Sequence, residues 1–291
     1  MGSTVYADQA HAINAREVTF DFDTVPMHYI PGEVMATHII NVMHLVLPEG
    51  ERAMAQALAE ALPLIDDERL REEVRGFIGQ EAMHASSHEL ARKQLERLGL
   101  DVRPMVERVA WLVDRVLGDH GLSGRAKHAW LCERLALFAG MEHYTAVIGE
   151  WLLTNDILVR KGMHPAMLDL IRWHGAEEVE HRSVVYDAYM YVDGGYGRKA
   201  RHAVIASTGL LALFVISGGY LFHKDPSPHK GRFWPLQLAS ASVRGVVPSF
   251  TTFFTEIPRY LRPGFHPSQL GPMDNALRYL AQSPAARAAV A

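Results

Sequence analysis

The sequence predicts an all-α protein, a four-helix bundle with additional N- and C-terminal helices. Three observations carry that prediction. Apolar residues recur at helical spacing from Glu33 to about residue 193, without the sustained alternation of a half-buried strand. Gly and Pro punctuation is sparse over the same span. Two separate segments also place Glu and His in helical register among apolar residues.

Residues 1–30 have mixed polarity and no period, and read as an extended arm. "EVMATHIINVMHLVL" puts Val34, Ile39, Val42 and Leu45 on one helix face. Pro48 is expected to interrupt that helix, and "PEGERAMAQALAEALPLI" to restart it. The clearest helix opens at Asp66 and Asp67 and closes at Gly99, after Lys93 and Arg97. "VRPMVERVAWLVDRVLGDHG" is a short third helix. "SGRAKHAWLCERLALFAGMEHYTAVIGEWLLTN" is apolar on much of its circumference and should be central. "HPAMLDLIRWHGAEEVEHRSVVYDAYMYV" follows as one segment, stopped by "DGGYG". Beyond it come an apolar segment, a Pro-rich loop, one further helical piece and "RYLRPGFHPSQ". No linker separates a second domain. The expectation is a single helical domain over 1–291, with the arm at 1–30, the bundle at 31–193 and the extension at 194–291.

Composition narrows the function. The chain has 291 residues, 48% hydrophobic and 21% charged, enough for one large core. A net charge of -4 argues against nucleic acid as a partner. A single cysteine, Cys132, excludes an internal disulfide framework and a thiolate metal cluster, and fits a reducing compartment such as the cytoplasm. The N-terminus lacks a basic region followed by an apolar run, so no secretory signal is expected. Ala203 to Phe222 is 20 residues without a charge. That length suits membrane insertion or close association, but also a buried helix or one that forms a homodimer.

The chemistry is written in "FIGQEAMHASSHE" and "WHGAEEVEH". On a helix, Glu81, His84 and His88 fall within a stripe about 60° wide, and so do His174, Glu178 and His181. The two patterns are near mirror images. Glu177 sits at the edge of its stripe, and Glu180 is expected to project into solvent. One Glu-x-x-His is a weak signal; two in an all-helical chain are a strong one. Bundles that hold two metal ions take Glu-x-x-His from two helices and a single Glu from each of two others. Such ions accept carboxylate and imidazole together.

The lone glutamates should precede each pair. Glu51, Glu49 and Glu60 compete for the first place. Glu51 can face inward with Ala55 and Leu58. Glu133, Glu142 and Glu150 compete for the second. Glu142 lies between "LALFAGM" and "YTAVIG", where a charge is costly to bury unless paired with an arginine or bound to metal.

These motifs, with "LPEGERAMAQALAE", "GMEHYTAVIGEWLL" and "YLRPGFHP", resemble the bacterial family of predicted metal-dependent hydrolases. The resemblance runs from about residue 20 to about residue 270. It implies a ferritin-like fold and metal positions at Glu51, Glu81, His84, Glu142, Glu178 and His181. His88 and His174 remain open between additional ligands, groups that hydrogen-bond the ligands, and core histidines. Glu177 is a further candidate for such an outer role. His143 should serve helix packing or the surface, and His38 and His44 face either the site or solvent. Trp173, Tyr144 and Tyr186 are candidates for a pocket wall or the core.

Two ions are expected, iron first, with manganese or zinc as alternatives. Reduced iron with O2 and an electron donor would oxidise a small or lipid-like substrate. A redox-inert pair would instead hydrolyse an ester, amide or phosphate. A non-enzymatic metal-binding protein is the reading from another class.

Overall fold

A computed structural model describes residues 12–228, 231 and 233–289. Residues 1–11 of the expected arm, and 229, 230, 232, 290 and 291 of the expected extension, lie outside the described residues. Among the described residues there are helices and no strand.

Residues 12–33 form neither helix nor strand and turn at 23–24 and 31–32, yet they are closely packed. Val18, Phe20, Phe22 and Val25 are buried, and the Phe20 ring lies 5.5 Å from that of Trp173. This apolar spacing ties the arm to the bundle and carries Arg16 to its interior side.

The bundle consists of α1 (Val34–Ala61), α2 (Glu68–Arg97), α4 (Gly124–Thr154) and α6 (Pro165–His181). Between α2 and α4 run α3 (Arg103–Leu112) and a π-helical turn, Val113–Leu117. A short α5 (Ile157–Arg160) precedes α6. α1 packs on α2 and α4, and α6 packs on α4 and α2. The four helices therefore close around one interior. Asp67 caps α2 by accepting a hydrogen bond from the Leu70 amide at 3.0 Å, and Gly99 ends the region at φ +88.

Three expectations about helix ends are corrected. Pro48 does not interrupt α1. It removes the amide that would bond to the His44 carbonyl, but long packing against α2 holds the helix through the gap. The segment after α4 is two helices, α6 and α7 (Val184–Val192), because the chain turns tightly at Arg182–Ser183. The buried Arg182 guanidinium anchors that turn on the carbonyls of Ser268 and Gly271. The apolar segment is part of a longer helix, α8 (Tyr196–Lys224), followed by α9 (Trp234–Val243), α10 (Thr252–Tyr260), α11 (Asp274–Leu280) and α12 (Pro284–Ala288).

α4 is central, contacting α1, α6, α7, α8, α10 and α11. Its closest approach is to α6. A Cβ built on Gly149 would stand 2.4 Å from the Gly175 carbonyl oxygen. Only glycine at both positions lets the two backbones meet. That contact sets the separation of Glu142 on α4 from Glu178 on α6. α8 is long and apolar enough to cross a membrane by length and composition, yet it packs one side on α4 and α1.

Candidate metal centre

The bundle interior collects the six carboxylate and imidazole positions. α1 supplies Glu51, α2 supplies Glu81 and His84, α4 supplies Glu142, and α6 supplies Glu178 and His181. All six are buried. The ligand atoms of Glu81, Glu142, Glu178 and His181 lie within 4.8 Å of one another, and so do those of Glu51, His84 and His174. The His181 Nε2 atom stands 3.4 Å from Glu81, 3.3 Å from Glu142 and 3.5 Å from Glu178. The His84 Nδ1 atom is 3.5 Å from Glu81 and 3.6 Å from Glu178.

These residues fit a metal better than they fit one another. Two donors, each about 2.1 Å from one ion, stand roughly 3.0–3.5 Å apart, which is the spacing found. Both oxygens of Glu51 and of Glu81, one each of Glu142 and Glu178, the Nδ1 of His84 and the Nε2 of His181 have no hydrogen-bond partner among the described residues. Buried polar atoms are almost always paired. Orphaned atoms occur elsewhere too, but here eight of them converge in one cluster of six residues. Two carboxylates about 4 Å apart repel by roughly 4 kcal/mol at an effective dielectric of 20. Four of them make poor structural glue, whereas two divalent cations balance their charge.

The titration behaviour agrees. Burial, and then the Glu81 carboxylate, push the Glu51 carboxyl well above its usual range. Burial and the charge of Glu178 raise Glu142 to about 8. Burial would also raise Glu178, but His174 and His181 hold it well below the ordinary value. Burial opposes charge on His84 and His181 too, yet their carboxylate neighbours raise both. The metal-free cluster thus retains protons that a cation would displace.

Behind the cluster, each helix orients the imidazole of the other. The residue before Glu178 is Glu177, and it accepts a hydrogen bond from the His84 Nε2–H at 3.0 Å. The residue before Glu81 is Gln80, and its amide oxygen accepts from the His181 Nδ1–H at 2.9 Å. Each imidazole therefore turns its other nitrogen to the cluster. Arg16 bonds Glu177 at 2.6 Å and grips Glu180 with two bonds of 2.8 Å, and Gln80 donates to Glu180 at 2.6 Å. Burial works against the Arg16 charge, but these carboxylates raise its pKa further. Glu180 is thus buried and paired, not solvated, because the arm brings Arg16 over it. Helical spacing assigned Glu177 its edge position but gave no sign of Gln80 or Arg16. The repeat of a polar residue immediately before Glu81 and Glu178 was the available signal.

The two open histidines are resolved in position. His174 stands 3.0 Å from Glu178 and belongs with the ligand atoms. His88 lies one step out, bonding His174 at 2.9 Å and His44 at 2.7 Å. Burial drives His88 and His174 below the ordinary imidazole value, and His44 to about 3. His38 points elsewhere, to Asp225 at 3.0 Å. His143 is a packing residue, 3.1 Å from Glu256 of α10. The rival glutamates are engaged away from the centre. Glu49 pairs with Arg52, Glu60 with Arg134, Glu133 with Arg198 and Arg201, and Glu150 accepts from Asn275.

In front of the cluster lies an apolar pocket. Its floor is His174 and Glu178, both buried, and its half-buried outer wall includes Ile148, Trp151, Leu211, Phe214 and Phe250. Tyr144 lines it, with its hydroxyl donated to the Phe253 carbonyl. Thr145 adds a hydroxyl that reaches Glu142. Trp173 and Tyr186 belong to the core instead.

An all-helical protein with a buried carboxylate–imidazole cluster suited to metal is the class that this fold and site define. Residues 14–271 match the family described as "predicted metal-dependent hydrolase", and the chain belongs to that family. No curated protein and no solved structure matches it.

Proposed function

We propose that the cluster is a two-metal centre and that the chain is an O2-dependent oxidase or oxygenase of a small apolar or lipid-like substrate. Glu51, Glu81, His84, Glu142, Glu178 and His181 would hold the ions, with His174 as a further donor. Iron is the first choice, and manganese or zinc are the alternatives. The observation that carries the substrate class is the pocket, whose walls are apolar and whose floor is formed by His174 and Glu178. Bound reduced iron supplies the redox chemistry that side chains lack. In an oxygenase, two electrons come from the substrate and two from an external donor, leaving one oxygen atom in the product and one as water.

The chain's own contribution follows from its geometry. Glu177 and Gln80 fix the tautomers of His84 and His181. The Thr145 hydroxyl bonds the Glu142 backbone carbonyl at 3.0 Å and stands 3.3 Å from its carboxylate, at the pocket wall. The apolar walls exclude water and position the substrate against the floor.

The family description supports a second reading, two-metal hydrolysis of an ester, amide or phosphate. Such a reaction needs polar groups to grip the scissile unit, and the pocket offers few. Metal analysis and anaerobic addition of O2 to the ferrous protein separate the readings. About two irons per chain and stoichiometric O2 consumption are expected. Two tightly held zinc ions, no O2 consumption and ester cleavage would support hydrolysis. Metal without either activity would indicate a non-enzymatic metal-binding protein. Glu142→Ala should lower the iron content; unchanged iron would remove Glu142 from the ligand set.

A further inference from the structure

α8 has the composition of a membrane helix, but only 39% of its most apolar stretch is buried. Its buried side meets the bundle at Ala203, Ala206, Ser207, Leu210 and Gly218. The opposite side exposes Val204, Ile205, Thr208, Ala212 and Ile216. From Val204 these positions fall within about 120° of helix circumference. Ile216 is 62% exposed. A soluble surface would normally place charges on such a stripe.

The flanking helices continue it. Trp234 at the start of α9 covers Gly219 of α8, and α9 then exposes Leu236 and Val243, the latter 89% exposed. Val106 of α3 and Val113, just beyond it, share an apolar cluster with Leu213 and Tyr220 of α8. α3 and the turn after it present Arg108, Trp111, Leu112 and Arg115, all exposed and within about 100° on a helical projection. Neither arginine has an ion pair or side-chain hydrogen bond among the described residues, although Glu107 and Asp114 stand on the flank of the stripe. The pocket reaches this region through Leu211 and Phe214 of α8, both half-buried.

Exposed aliphatic residues, an exposed tryptophan and unpaired arginines match the boundary of a bilayer with anionic headgroups. The whole chain carries a net charge of -4, so these cations are a local feature and not general basicity. We propose that the outer face of α8, with the exposed side chains of α3 and α9, docks on an anionic lipid bilayer and takes the apolar substrate from it into the pocket. α8 lies along the surface and does not span it, because its other side is part of the bundle. The docking half stands by itself; the delivery half rests on the proposed apolar substrate.

Vesicle flotation of the full-length, iron-loaded chain tests it, with phosphatidylcholine vesicles made with and without phosphatidylglycerol. Binding is expected to the anionic vesicles and should weaken as salt is raised. Arg108→Ala with Arg115→Ala should weaken partitioning about 30-fold, from about fivefold per arginine near an anionic surface. Ile216→Glu with Val243→Glu should abolish it. Circular dichroism and metal content, expected to be unchanged, show that both variants fold. No flotation at low salt would overturn the proposal. So would unchanged binding by the arginine variant, or a dimer in vesicle-free solution that Ile216→Glu dissolves. O2 consumption by the ferrous protein without vesicles is scored separately. Lost flotation with intact O2 consumption spares the proposed oxidation, and the reverse result spares the docking face.

Discussion

α2 and α6 present the same register to the centre but with different chemistry behind it. Each carries Glu-x-x-His, and each uses the residue before its glutamate to orient the imidazole across the bundle. Across to α2 that residue is an acid, Glu177; across to α6 it is an amide, Gln80. A carboxylate behind an imidazole makes it a stronger donor than an amide does. The two halves are therefore geometrically alike and electrostatically unequal, with the His84 side the more electron-rich. Arg16 and Glu180 link both outer groups into one buried chain, so neither half is adjusted in isolation.

The largest expected effect comes from breaking what the halves share. Glu178 contacts His84, His174 and His181. Glu178→Ala should reduce metal content by at least one ion per chain and leave buried imidazoles without their carboxylate. Removing one partner of a buried charged pair costs about 3–5 kcal/mol, so the melting temperature should also fall. Metal analysis with thermal melting checks both. Full metal content in this variant would mean that Glu178 is not shared.

A smaller effect should separate the halves. Glu177→Gln makes the outer groups alike, and Gln80→Leu removes the amide acceptor of His181. Each should weaken metal binding about 10–100-fold. Glu177→Gln should act on the ion at His84, and Gln80→Leu on the one at His181. Competitive titration with a chelator, followed by the spectrum of the ion that remains, reads which is lost. Loss of the same ion in both variants would refute the division.

Much of this was legible before the structure, because helical spacing is a local property. The 100° turn put Glu81 with His84 and Glu178 with His181, and the cost of burying a charge singled out Glu142. What spacing cannot express is what comes from another segment. Glu180 read as solvated because its own helix gave it no partner, and Arg16 reaches it from an arm without a period. Pro48 read as a break because local propensity forbids it mid-helix, whereas tertiary packing overrides that penalty. The front of the site was equally hidden. Ile148, Leu211 and Phe250 come from three separated segments, and each alone is an ordinary apolar residue.

A pH dependence reports the proton held on the His181 side. Glu142, beside His181, titrates at about 8 in the metal-free cluster, above the ordinary carboxylate value. A carboxyl raised in the folded state contributes stability that is full below its unfolded pKa and is lost as pH rises through the folded one. The metal-free protein should therefore become less stable from about pH 5 to about pH 8 on account of this group. Metal binding displaces the same proton, so affinity should rise about tenfold per pH unit for each proton released below pH 8, then level off. The melting temperatures of the metal-loaded and metal-free forms should consequently diverge as pH increases. Glu142→Gln cannot release that proton, so its metal-free form should lose this part of the pH slope. If wild type and Glu142→Gln show the same slope, the proton resides elsewhere in the cluster, with Glu51, raised by burial beside Glu81, as the next group to test.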